Sequence, residues 1–137
     1  MNKKEGKLQA QIFSYIWNKY PDMRGCLFST FQETSSQIDG AIKRSLGLVA
    51  GVSDFIFCDN GDTVGIELKH PDSSHKVDHI IQQAQWLLKV PKRGYFCDSL
   101  EMAEDIIINK GKGIDPKRVL EYAKSLKTKT MIWQKFQ

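Results

Sequence analysis

The sequence predicts one α/β domain in which helices flank a mixed β-sheet, with elements in the order α-β-α-β-β-α-β-α-α. An Asn-Gly dipeptide, the strongest short-range signal of a β-hairpin, lies between two strand-like runs. A helical pattern and then a strand at 94–97 follow the second run, and this crossover implies a parallel pair beside the antiparallel hairpin. The length suits a single domain, residues 1–137, and no linker is long enough to divide it.

Three elements are predicted before the hairpin. Residues 7–20 form a helix whose apolar side chains repeat at helical spacing. Residues 26–31 form a strand. Ser35 or Ser36 caps a second helix, which carries apolar residues at i, i+4 and i+8, namely Ile38, Ile42 and Leu46.

A polar loop at 71–76 and then four elements are predicted after the hairpin. The elements are a helix at 78–89, the strand at 94–97, a helix opened by a capping box at 98–101, and a helix that begins at Asp115-Pro116 and ends near 126. Apolar and basic residues alternate in the last segment, 127–136, which suits a final strand, a partner-binding arm or a DNA contact.

The hairpin register brings acidic and basic side chains together. With the Asn-Gly dipeptide at the centre of the turn, Asp54 lies opposite Glu67, at the Cβ separation of about 4.5–5.5 Å typical of paired residues. Lys69 follows two residues later and shares that face of the sheet. The opposite face is apolar and is expected to face the core: Phe55, Phe57, Val64, Ile66 and Leu68.

Two carboxylates this close repel each other and favour a cation between them. Hard oxygen ligands with open coordination positions suit Mg²⁺ or Mn²⁺, which also bind phosphate oxygens. Such a metal would lower the pKa of a bound water and offset charge on a phosphoryl group, and Lys69 could position that water. Spacing alone leaves one alternative open, an exposed hairpin edge with ordinary surface charges.

These residues resemble those of a nuclease family. Asp54, followed at a short distance by Glu67-Leu68-Lys69, resembles the motif of the PD-(D/E)XK nuclease superfamily. The segment 41–54 resembles the stretch that leads into the catalytic Asp of the VRR-NUC family within that superfamily. Ser53 stands where that family usually has Pro, a position that mainly shapes the backbone.

The resemblance extends on both sides of the hairpin. Gln83-Ala84-Gln85-Trp86, with Gly94 eight residues beyond the tryptophan, resembles the downstream helix of the family, and this spacing favours Gln83 as the residue near the metal. Glu5 and Gln9 resemble the acidic and amide residues of its first helix. The match covers about residues 5–105.

The resemblance implies a restriction-endonuclease-like fold and a Mg²⁺- or Mn²⁺-dependent endonuclease that hydrolyses phosphodiester bonds in DNA. The implied catalytic set is Asp54, Glu67, Lys69 and Gln83, with Glu5 and Gln9 as additional candidates. The implied metal ligands are Asp54, Glu67 and the backbone carbonyl of Leu68.

The resemblance also suggests a substrate. Small stand-alone members of the family are often phage-encoded and act as dimers on branched DNA such as Holliday junctions. Two alternatives stay open: a nuclease on flapped, nicked or linear duplex DNA, and a module that binds DNA without cutting it. The complete catalytic set argues against the second alternative.

The basic residues are concentrated near the C-terminus. Residues 110–137 hold eight Lys/Arg and two Asp/Glu, a net charge of +6, against −2 for residues 1–109. A clustered basic segment is typical of proteins that bind the phosphate backbone, although a solvated tail would also carry lysines. The candidate DNA-binding residues are Lys117, Arg118, Lys124, Lys127 and Lys129.

The C-terminal segment also predicts a homodimer. It contains apolar residues without an evident core position, and an exposed patch of this kind often marks an interface: Met131, Ile132, Trp133 and Phe136. The alternative is a monomer whose terminal segment folds back on the domain. Trp17 lies among apolar neighbours on the first helix, so it is expected to pack in the core rather than to stack on bases.

The sequence contains neither a signal peptide nor an apolar run that could cross a membrane. We therefore expect a cytoplasmic protein, located in the host cytoplasm if it is phage-encoded. Its three cysteines, Cys26, Cys58 and Cys97, have no metal-binding spacing and are expected to be buried free thiols rather than disulfide or metal ligands. His75 and His79 have the i, i+4 spacing of zinc ligands, but a third ligand is not evident.

Overall fold

The computed structural model describes residues 3–30 and 35–137. Within these ranges the helices are α1 (Lys3–Lys19), α2 (Gln37–Ser45), α3 (Val77–Lys89), α4 (Leu100–Ile108), α5 (Pro116–Ser125) and α6 (Trp133–Phe136). The strands are β1 (Leu27–Ser29), β2 (Phe55–Asp59), β3 (Asp62–Leu68), β4 (Ser74–Lys76), β5 (Arg93–Cys97) and β6 (Thr130–Ile132). The predicted elements are present in the predicted order. β6 is the final strand, one of the alternatives for the last segment, whereas β4, α6 and a short 3-10 helix at Pro21–Met23 are additional.

The central sheet has four strands in the order β1-β2-β3-β5. β1 and β3 each pair antiparallel with β2, whereas β5 pairs parallel with β3. The parallel pair arises because α3 carries the chain from the end of β3 back to the start of β5. The predicted α/β architecture, a mixed sheet flanked by helices, is therefore confirmed.

The β2–β3 hairpin has the predicted register. Asn60 and Gly61 have φ angles of 44° and 84°, the positive values that a type I′ turn requires at its two central residues. The pairing runs from Phe55↔Ile66 to Asp59↔Asp62. The apolar face is buried as expected, in all five of its side chains. Register determines which side chains share a face, so the acidic residues at the end of the hairpin emerge on the other side of the sheet.

Two helical layers cover the sheet. α1 and α4 pack on the face that carries the apolar residues of the hairpin, through side chains such as Ile12, Ile16 and Ile106. α3 and α5 pack together in a second core around Phe96 of β5. Successive residues of a strand point to opposite faces, so these two cores lie on opposite sides of the sheet.

Two apolar surfaces face outward. The stripe on α2 is largely exposed, at 75% for Ile38, 55% for Ile42 and 81% for Leu46. Trp17 on α1 is also exposed, so the prediction that it packs in the core is wrong. Helical periodicity identifies an apolar face, but it does not decide whether another element covers that face.

The C-terminal segment folds back on the domain, which is the alternative to the predicted exposed patch. Met131, Trp133 and Phe136 are buried in the second core, and only Ile132 of the four apolar residues is exposed. β6 pairs antiparallel with β4, so part of the predicted loop at 71–76 is a strand. The sequence-based reason for a homodimer, an uncovered apolar patch here, is therefore wrong.

Within residues 3–30 and 35–137, none of the helices combines the length and the apolar character needed to cross a bilayer. The three cysteines are free thiols, as predicted, but only Cys97 is buried; Cys26 is half-buried and Cys58 is exposed, so the prediction that all three are buried is wrong. Burial raises the pKa of the Cys97 thiol to about 12, so this thiol stays protonated at neutral pH.

Candidate active site

The ends of two strands position the three central residues of the candidate site. Asp54 directly precedes β2, Glu67 is the last but one residue of β3, and Lys69 directly follows β3. The hairpin register brings Asp54 and Glu67 side by side at the open end of the hairpin. A tight turn and a buried apolar face are therefore enough to build this part of the site.

Backbone hydrogen bonds hold the two carboxyl groups. The Asp54 N–H donates to Oε2 of Glu67 over 3.0 Å. The Leu68 N–H donates to Oδ2 of Asp54 over 2.8 Å. Each carboxyl group is thus bonded to the strand that carries the other, which fixes both side chains against the backbone.

A buried ammonium group completes the cluster. Lys69 Nζ lies 3.5 Å from Oε1 of Glu67, and the two residues are only 2% and 4% exposed. The Lys69 N–H donates to the carbonyl of Cys97, which ties the residue to β5. Buried charges are costly unless they are paired, and here one ammonium group faces two carboxyl groups.

The electrostatics of this cluster are unusual for a structural ion pair. Burial raises the pKa of Glu67 well above its ordinary value; the Lys69 charge opposes the rise and the neighbouring Asp54 adds to it. Burial also raises the pKa of Asp54, against the hydrogen bond from Leu68 and the charge of Lys69. Carboxyl groups with pKa values perturbed by burial and by a like neighbour are concentrated at functional sites.

The first helix contributes Glu5, as the sequence predicts. This side chain is buried, and its Oε1 lies 2.8 Å from Nε2 of His75. Burial acts to raise the pKa of Glu5, but the hydrogen bond from His75 and the charge of Lys69 leave the pKa lowered. Glu5 is therefore an ionised neighbour of the cluster. One turn further along α1, Gln9 donates from Nε2 to Oγ of Ser29 over 2.9 Å.

Two residues of this site, Ser73 and His75, were not predicted. Ser73 Oγ donates to the carbonyl of His70 over 2.6 Å and lies 2.7 Å from Nε2 of His75. His75 can therefore hold both Ser73 and Glu5 through one ring nitrogen. Two sequence signals concerned His75. Its spacing to His79 suggested zinc, and the loop at 71–76 that contains it was expected beside the site because it directly follows the second strand of the hairpin. The structure places His75 in β4, opposite Met131 of β6.

The donor chemistry favours Mg²⁺ or Mn²⁺ over zinc. Within residues 3–30 and 35–137, no three His, Cys, Asp or Glu side chains are grouped to hold a metal ion of any kind, so a metal here would be held by two carboxylates and by oxygen ligands from outside the side chains. Mg²⁺ is usually held by one or two carboxylates, with water and substrate phosphate in the other positions. Asp54 and Glu67, beside the Leu68 backbone, fit that pattern.

Gln83 is the inward-facing member of three neighbouring glutamines. Gln82 and Gln85 are exposed, whereas Oε1 of Gln83 is buried and has no hydrogen-bond partner among the residues described. α3 packs on the segment before Asp54, since a Cβ at Gly51 would lie 3.0 Å from Cγ of Gln82. A buried amide oxygen without a partner costs roughly 1–3 kcal/mol, so it suits a position that a ligand completes.

The five candidate DNA-binding residues are all exposed, but they do not form one cluster. Lys117 and Arg118 lie at the start of α5, where the Arg118 guanidinium sits 4.7 Å from the Phe136 ring centroid. Lys124 and Lys129 line a cleft of about 660 Å³ together with Lys76 of β4. The remaining residue, Lys127, lies in the connection between α5 and β6.

Comparisons with protein-family models, with curated proteins and with solved structures found no match to this chain. Function must therefore be argued from the chemistry of the candidate site. The cluster of Asp54, Glu67 and Lys69, with Glu5 beside it, is the strongest starting point because it is buried, charged and held by backbone hydrogen bonds.

Proposed function

We propose that this protein is a Mg²⁺- or Mn²⁺-dependent endonuclease that hydrolyses phosphodiester bonds in DNA, with a restriction-endonuclease-like fold of the VRR-NUC type. The observation that carries the proposal is the arrangement of Asp54, Glu67 and Lys69 at the end of the β2–β3 hairpin. These residues are of the types found in the PD-(D/E)XK motif. The Asp54 and Glu67 carboxyl groups are also close enough together to share one metal ion.

A purely structural role explains this cluster poorly. Two carboxyl groups and one ammonium group in a nearly dry position are more costly than apolar side chains of the same volume. Burial favours the neutral forms of Asp54 and Glu67 and so raises their pKa values, which reflects the free-energy cost of burying their charges. A divalent cation would offset the repulsion between the Asp54 and Glu67 carboxylates, and it would replace the proton that the pair tends to hold.

Each residue has a distinct role in the proposal. Asp54 and Glu67 hold the metal, with the Leu68 carbonyl as a further ligand. A bound metal supplies an acidified water and stabilises charge on the phosphoryl oxygens. Lys69 orients the attacking water and offsets developing negative charge, because its ammonium group already lies beside Glu67. Gln83 and Glu5 complete the polar lining.

The proposed substrate is branched DNA, cut by a homodimer. Resolving a junction needs two symmetric cuts, and a two-fold dimer supplies two matched sites. The cleft lined by Lys76, Lys124 and Lys129 offers positive charge for the DNA backbone. The cleft lies next to the β4–β6 strand pair that contains His75. The Val77 N–H, one residue after β4, donates to the carbonyl of Lys129, one residue before β6.

A cleavage panel tests the proposal. The purified protein is incubated with Holliday-junction, flapped, nicked and linear duplex DNA, each with Mg²⁺, with Mn²⁺ and with EDTA. We expect metal-dependent strand cleavage, with symmetric paired cuts in the junction. Cleavage that persists in EDTA would overturn the metal assignment, and binding without cleavage under every condition would leave a DNA-binding module instead.

The basic cleft makes a separate prediction about salt dependence. Replacing Lys124 and Lys129 by Ala should reduce the slope of log K against log salt for duplex DNA by about 0.9 for each phosphate that the protein no longer neutralises, or roughly 1.8 in total. The matched control replaces Lys89 and Lys112, which are exposed but do not line the cleft. Equal slopes for the two double variants would place the DNA elsewhere on the surface.

A further inference from the structure

A groove lined by aromatic side chains runs between α1 and the edge strand β1. It has a volume of about 610 Å³ and is lined by Gly6, Gln9, Phe13 and Trp17 of α1 with Phe28 and Ser29 of β1. Its three outer rings are well exposed, at 37% for Phe13, 41% for Trp17 and 44% for Phe28. We call it the aromatic groove. Its volume is typical of a ligand site, and a contiguous exposed apolar surface of this kind usually has a binding role.

The aromatic groove is linked to the candidate active site by contacts at one end. Gln9, which lines the groove, lies one turn after Glu5 on α1 and donates to Ser29 of β1. The next residue, Thr30, donates its backbone N–H to the carbonyl of Asp54 over 3.0 Å. The aromatic residues of α1 lie about 12 and 18 Å from Glu5 along the helix axis, a distance of a few nucleotides. A DNA strand with a phosphate at the candidate site can therefore reach the groove with a nearby base.

The side chains of the groove match a nucleobase and its backbone. The Phe13 and Trp17 ring centroids lie 5.6 Å apart, and the Phe13 ring stacks on Phe55. The Arg24 guanidinium lies 5.2 Å from the Trp17 ring centroid, which places positive charge at the outer end. At the inner end, Gln9 donates from Nε2 to Oγ of Ser29, so polar side chains close that end of the groove.

We propose that the aromatic groove binds an unstacked nucleobase of the DNA strand whose phosphate lies at Asp54 and Glu67. The choice of DNA as ligand rests on the proposed function. Every base has a flat face that stacks on aromatic rings, so binding here is tolerant of sequence. Bases in a continuous duplex are already stacked, whereas those at a branch point, flap or loop are free to enter. The groove thus selects DNA with unpaired bases beside the cut.

Binding of a short oligothymidylate in EDTA tests this inference without cleavage. Titration should quench the fluorescence of exposed Trp17, and the quenched component should be absent in Trp17→Phe. The Phe variant keeps an aromatic face, so its affinity should stay within about twofold of wild type. Trp17→Leu keeps an apolar side chain but cannot stack, and its affinity should fall by roughly 5- to 150-fold. Thermal unfolding shows that both variants are folded.

Two outcomes would overturn the inference. One is equal oligothymidylate affinity in the Leu and Phe variants. The other is a lower molecular mass of Trp17→Leu by light scattering with unchanged oligothymidylate affinity, which would identify the groove as a surface between two copies of the chain. The nuclease proposal has its own test. If the wild type shows no metal-dependent cleavage but still binds oligothymidylate at Trp17, the protein is not a nuclease and the groove still binds DNA.

Discussion

Replacing Asp54 by Asn or Glu67 by Gln is expected to lower the rate of DNA cleavage by about 10³-fold or more, the scale seen when a single catalytic group is removed. Each change removes a negative oxygen ligand with little change in volume. Metal-free binding of DNA should persist or improve, because a negative charge near the phosphate is gone. Single-turnover cleavage with Mg²⁺ and with Mn²⁺ measures the effect.

Glu121→Gln provides the control for these variants. It removes the same charge from an exposed position on α5, so cleavage should remain close to that of the wild type. Near-wild-type cleavage by well-folded Asp54→Asn or Glu67→Gln would exclude these carboxyl groups from the chemistry.

The stability of the same Glu67 variant relative to the wild type should rise with pH when metal is absent. Burial raises the pKa of Glu67, so the folded protein holds that proton more tightly than the unfolded chain. The resulting stabilisation is complete below the ordinary glutamate pKa and is lost as the pH rises through the raised value. In EDTA, the difference in Tm between Glu67→Gln and the wild type should widen with pH, and Mn²⁺ should close it. A difference in Tm that changes with neither pH nor Mn²⁺ would contradict the explanation that a buried Glu67 carboxyl group causes it.

Replacing Trp133 by Ala is expected to lower the free energy of unfolding by about 3–5 kcal/mol, as for other large buried aromatic side chains. The ring is fully buried, with its centroid 5.4 Å from that of Phe96 and 5.1 Å from that of Phe136. Its N–H also donates to the Asp98 carboxyl group over 3.4 Å. Chemical denaturation gives the loss directly.

Ile132→Ala is the matched control, because the neighbouring side chain is exposed and its removal should cost less than about 1 kcal/mol. Equal losses in the two variants would mean that the C-terminal segment does not pack on α3 and α5. A loss confined to Trp133→Ala would show that the C-terminal segment stabilises the second core.

The hairpin shows how much of the site can be predicted from sequence. Asn60-Gly61 fixes a two-residue turn, the turn fixes the register, and the register brings Asp54 beside Glu67. Each step is local, so no knowledge of the rest of the fold is needed. The choice of Gln83 among three neighbouring glutamines came from the family resemblance, through its spacing to Trp86, and Gln83 is the one of the three that is not exposed.

The unpredicted features depend on contacts between distant parts of the chain. β4 is polar and only three residues long, so it has no periodic signal. β6 was one of three alternatives for the last segment, and its pairing with β4 forms only in the folded protein. His75 therefore looked like a loop residue. The exposed Trp17 has the opposite cause: its neighbours on α1 are apolar, but no described element covers that side of the helix.

The strand pair between β4 and β6 also sets the order in which the candidate site can assemble during synthesis. His75, which contacts Glu5, has Met131 as its strand partner. A nascent chain can fold the hairpin and pair Asp54 with Glu67 early, because those contacts are local. The pairing that holds His75 must wait until β6 has left the ribosome. The acidic pair is thus assembled first, and its surroundings are completed only after residues 130–132 have emerged.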